Sequence, residues 1–127
     1  MNTKNRLQDE HSVRLAVGLT GYALQIPAEV ILASSRRDHH IVRARQVAMY
    51  LSHVGLGMSL ARVASALDRD RSTVAHGCHK IEDLRDDPGV DEWLDELEQT
   101  LKSAADIGQH QRDLSLSPRQ LQSLQLT

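Results

Sequence analysis

"DRDRSTVAHGCHKI", residues 68–81, gathers two arginines, two aspartates, a Ser-Thr pair, two histidines and the only cysteine into fourteen positions. Such a set could hold a metal, support catalysis or open a helix that lies against DNA. Helical periodicity separates the three. At about 100° per residue, Cys78 and Ile81 share a side with Val74, whereas Ser72, His76, His79 and Asp83 fall opposite. Cys78 therefore points away from both histidines, and no second ligand pair elsewhere completes a zinc site. Ser72 and His76 lie one turn apart, but no nucleophile elbow accompanies them, and neither a Walker phosphate loop nor a GxGxxG turn is present. No metal, cofactor or enzymatic activity is expected.

The flanks favour the third use. Asp70 is an N-cap residue type ahead of a helix running to about Asp87, where Pro88 and Gly89 break it. Upstream, Ser59 caps a short helix, SLARVASAL, with Leu60, Val63, Ala64 and Leu67 on one face. A short helix, a tight turn and a longer helix make a helix-turn-helix. The start of such a second helix meets base edges in the major groove, and its free backbone N–H groups favour phosphate. Arg71 has the fork for guanine, Asp70 can accept from a cytosine amino group, and Ser72 or Thr73 can bond a base or phosphate. Capping asks for the same residue types at Asp70 and Thr73, and one residue can do both.

Working outward, Ile41, Ala44, Val47, Ala48, Leu51 and Val54 recur at three and four and predict a helix from Asp38 to His53, stopped by Gly55 and Gly57. HSVRLAVGLTGYALQI predicts an earlier helix with Val13, Leu15, Ala16, Leu19, Ala23, Leu24 and Ile26 as its stripe; Pro27 then opens a short one, followed by a basic SSRR loop. Beyond Gly89, Val90, Leu94, Leu97, Leu101 and Ala104 predict an amphipathic helix with an acidic outside. The expected fold is all-α, a helix-turn-helix bundle of about six helices. Residues 1–10 read as a flexible leader, 11–104 as the helical domain with its helix-turn-helix core at 36–87, and 105–127 as a polar tail with a short helix at Ser117-Pro118.

The chain has 127 residues, one cysteine and no phenylalanine, so one core of Leu, Val, Ile, Ala and Met is expected, without disulfides. Only Tyr22, Tyr50 and Trp93 are aromatic, too few for a surface that stacks single-stranded bases. Net charge is −2, yet Arg36 to Lys80 holds eight bases against three acids, and Glu82 to Glu98 nine acids against one base. A basic middle beside an acidic third suits a nucleic-acid footprint, or two solvated helix faces of opposite sign. With no membrane-length apolar run and no signal sequence, the expected setting is the cytoplasm, on the nucleoid.

"VRARQVAMYL" at 42–51, "SLARVASAL" at 59–67 and "DRDRSTVAHGCHKIEDLRDD" at 68–87 resemble, in order and at the right separations, the VRPRQIAMYL helix, the SLPEIG helix and the GRDHTTVLHACRKI signature of the C-terminal DNA-binding domain of the bacterial replication initiator DnaA. The resemblance implies a Trp-repressor-like fold. It gives Arg36 or Arg37 the minor-groove arginine, and Arg43, Arg45 and Gln46 phosphate-side or packing roles. Arg69, Asp70, Arg71, Ser72 and Thr73 take the reading positions, with Lys80 and His76 near the backbone. Arg71 stands where the family has a base-contacting histidine, Ser72 for a threonine, His79 for an arginine and Ala44 for a proline, so sequence preference would shift there. The family's ATPase domain has no counterpart in these residues.

The function expected is therefore a sequence-specific double-stranded DNA-binding regulator of transcription or replication. The alternative is a protein-interaction adaptor, or an inactive initiator relic, using the acidic Trp93 helix. A homodimer or protein partner through the terminal helices is left open, and neither a membrane nor a small-molecule substrate is expected as a partner.

Overall fold

A computed structural model describes residues 3–33, 35, 37–114 and 117–124, residues 3, 4 and 109–114 by backbone alone. Seven α-helices and no strand occur among them: α1 Thr3–Leu24, α2 Ala28–Leu32, α3 His39–Tyr50, α4 Leu60–Leu67, α5 Arg71–Leu84, α6 Pro88–Leu114 and α7 Pro118–Leu124. The all-α reading holds.

The first helix is longer than its sequence suggests. Residues 3–10, expected as a leader, are helical, because Asp9 is buried at 6% exposure against Arg62 of α4, which donates to it from Nε at 3.0 Å and Nη2 at 2.5 Å. This bidentate pair holds Arg62 charged. Further along, the inward face is Val13, Ala16, Val17 and Thr20, while the expected stripe members Leu15 and Leu24 remain over a third exposed. Thr20 completes the stripe by donating its hydroxyl to Ala16 O at 2.8 Å. Gln25 closes α1 in the left-handed region at φ 58°, letting Ile26 N bond back to Gly21 O at 2.9 Å. Gly21 has to lack a side chain, since a Cβ would stand 2.5 Å from the Ile26 carbonyl oxygen.

The α3 pattern predicted to reach His53 continues, but through a wide π-turn at Leu51–Gly55, where Leu56 N bonds to Leu51 O at 3.0 Å. The widening lets Tyr50, Leu51 and Ser52 all be buried in succession. Gly57, at φ 70°, then turns the chain. Ser59 caps α4 as predicted, accepting from Arg62 N at 3.2 Å.

Pro88 begins α6 as well as ending what precedes it, the position where a missing N–H matters least. Leu94, Leu97 and Leu101 of α6 enter the same core as α1, α3, α4 and α5. The expected loose tail from Asp106 is instead a continuation of α6 to Leu114, and α7 starts at Pro118. No helix among the described residues is long and apolar enough to cross a membrane.

Candidate nucleic-acid interface

α4 and α5 meet at a turn set by Asp68, which adopts φ 54° and ψ 51° so that Arg69 N bonds to Ala64 O at 2.9 Å. Asp70 occupies the N-cap position of α5 with extended backbone, but its side chain makes no capping bond. The expectation that it caps through its carboxylate is corrected: the group is exposed at the helix start. Arg71, Ser72, Thr73, His76 and Lys80 are exposed as well, and Val74, Gly77, Cys78 and Ile81 are buried. Cys78 faces inward, and burial pushes its thiol up to about 11. No group of three metal-binding side chains forms among the described residues.

Gly77 brings α5 close to α3. A Cβ there would lie 3.1 Å from Gln46 Cγ and from Met49 Sδ. Tyr50 Oη donates to Glu82 at 2.7 Å, so the two helices run in the same sense where they touch. One turn back from Gln46 and Gly77 lie half-buried Arg43 and exposed Thr73, which this register carries to the same end of the pair. Gln46 itself lies against Gly77 of α5 and is half-buried.

Arg45, to which the resemblance gives a phosphate-side or packing role, faces inward: it is 8% exposed, with Nε donating to Ile31 O at 2.8 Å and Nη2 to Ala33 O at 2.6 Å. Its place beside Ala44 and Ala48 on α3 turns it inward. Burial, and then the charge of neighbouring Arg69, pull the Arg45 guanidinium below its usual range. Arg69 is half-buried and reaches Leu32 O at 3.5 Å. Arg37, in the basic loop, is exposed, while Arg36 lies outside the described residues.

The sequence reading missed Arg85, the one base in the acidic run. It is 14% exposed and bonds Asp91 Oδ1 at 2.6 Å, Glu98 Oε1 at 3.2 Å, Tyr50 Oη at 3.0 Å and Asp95. Burial acts against its charge, but the bonds to Asp91, Tyr50 and Asp95 outweigh it and raise its pKa. Tyr50 is pushed up to about 12, chiefly by burial and then by its bond to Glu82. One guanidinium thus ties α3, α5 and α6 together. A lone base among nine acids was the available signal.

The architecture and exposed second-helix start define a helix-turn-helix domain, a class of binding module rather than enzyme. The family described as bacterial dnaA protein helix-turn-helix matches residues 22–81 of this chain. It is similar to the chromosomal replication initiator protein DnaA of Lachnoclostridium phytofermentans, 39% identical over 66 residues, covering 50% of this chain and 15% of that protein. The DnaA of Mesorhizobium japonicum is 50% identical over 54 residues, 42% of this chain and 11% of that one. The chain therefore spans a small fraction of these relatives' length. A crystal structure of a DNA replication initiation factor shares the fold at a TM-score of 0.69 and 23% identity, covering 77% of this chain and 30% of the other.

Proposed function

We propose that the chain binds double-stranded DNA site-specifically and regulates replication or transcription. The observation that carries this is the division of α5: one face is locked to α3 through Gly77, and its first turn presents Arg71, Ser72 and Thr73 to solvent. In this reading α5 enters the major groove, where Arg71 forks onto guanine and Asp70 accepts from a cytosine amino group. Arg37 or Arg36 takes the minor groove. Arg43, Lys80 and His76 meet phosphates. The adaptor alternative has lost its apolar anchor, because Leu94, Leu97 and Leu101 are in the core and Trp93 packs against it.

The test is selection of random duplexes by the purified protein, followed by titration of the winner and a scrambled control at two salt concentrations. An enriched motif whose advantage survives added salt is the expected result. Equal binding to both duplexes, disappearing together as salt rises, would remove site-specific reading.

A further inference from the structure

The three carbonyls that end α2, those of Ile31, Leu32 and Ala33, receive arginines from two distant parts of the chain. Arg45 comes from α3 and bonds the first and third at 2.8 and 2.6 Å; Arg69 comes from the helix-turn-helix turn and reaches the second at 3.5 Å. Beyond these carbonyls the backbone leaves α2 extended, with Ala33 at φ −69° and ψ 126°, and runs into the loop that carries Arg37. Two residues beyond Arg69 is Arg71, at the start of α5. The geometry points to Arg45 and Arg69 as a positioning clamp that fixes the offset between the Arg37 loop and the reading end of α5. This rests on the DNA-reading function proposed above.

The chemistry of the clamp suits placement better than stability. A guanidinium forks onto two carbonyls in a fixed plane, which a lysine ammonium cannot reproduce. Two like charges held together at a partly buried place oppose one another, and an apolar residue at position 45 would avoid that repulsion. What the arginines add is a defined exit for the loop. Two reading elements that enter adjacent grooves have to be spaced to the duplex, since an offset in one withdraws its contacts while the other still binds. Arg45 and Arg69 thus act on specificity through Arg37, without touching the bases that Arg37 reads.

The experiment is duplex selection with the unaltered chain and with Arg45→Lys, Arg45→Met and Arg69→Lys, alongside thermal melting of each. Arg37→Ala and Arg71→Ala, run in parallel, mark which positions of the selected site belong to the loop and which to α5. In Arg45→Lys and Arg69→Lys, discrimination at the loop positions should fall about fivefold or more, the scale of one lost base contact. In Arg45→Lys, discrimination at the α5 positions should stay within about twofold, inside the spread of single-contact effects. Arg69→Lys, at a half-buried turn position, decides the matter where an Arg45 variant fails to fold. Unchanged loop positions in folded variants would overturn the clamp, as would equal weakening of both blocks in step with a lower melting temperature. No motif from the unaltered chain would instead overturn the DNA-reading function, and the clamp with it.

Discussion

Asp68 holds the turn of the helix-turn-helix in left-handed backbone, at the position where the DnaA signature quoted above opens on glycine. An L-residue with a Cβ is disfavoured there by about 1–2 kcal/mol, somewhat less for Asp. Asp68→Gly should therefore stabilise by about 1 kcal/mol and raise the melting temperature by about 3–5 °C. At the start of α5, Arg71→His should move the selected DNA site towards the initiator's own box; an unchanged site would mean that Arg71 reads no base. Cys78 and Tyr50 give a pH signature. Folding raises both pKa values, so above pH 9 for the thiol and above 10 for the phenol the unfolded chain ionises first, and stability falls as pH climbs to about 11 and about 12. Urea midpoints at pH 8 and 10.5 should show the loss, and Cys78→Ala should remove its earlier part.

Between helices, Arg85 gathers Tyr50, Asp91, Asp95 and Glu98 onto one guanidinium. Arg85→Met should lower stability by about 1–3 kcal/mol by urea titration, less than a fully buried ion pair because Asp91 and Asp95 are each about half exposed. Gly77→Val should destabilise by about 1–3 kcal/mol, since its Cβ would already be crowded at 3.1 Å by Gln46 and Met49 and its two methyls need more room still. The central helices were readable from sequence because their apolar residues recur at the helical period and because Ser59, Gly57 and Pro88 punctuate them locally. The beginning of α1 was not, since its polar residues become helical by pairing Asp9 with Arg62, 53 positions away. The same holds for the site. The solvent face of α5 can be laid out from periodicity, whereas the resemblance leaves Arg45 between a phosphate-side and a packing role, and only its bonds to the distant Ile31 and Ala33 carbonyls put it on the buried side of α3. Arg85 gathers partners from α6 and α3 that no local pattern predicts.

For the molecule as a whole, the family match stops at residue 81, but the core does not. Truncation after Asp87 would remove Leu94, Leu97 and Leu101, each contributing about 1.5–3 kcal/mol, which together approach the full stability of a domain this size. Such a fragment should lose its cooperative melt. If the basic surface meets several phosphates, log affinity should fall with log salt at a slope of about −0.9 for each. The wide turn at Leu51–Gly55 adds a tolerance of another kind. It carries one residue more than an ordinary turn, so removal of exposed Val54 would return this end of the helix to α geometry with its flanks still in register. Chain length is thus negotiable at this junction, whereas the loss of one residue inside α3 or α5 would turn the buried face about 100° away from the core.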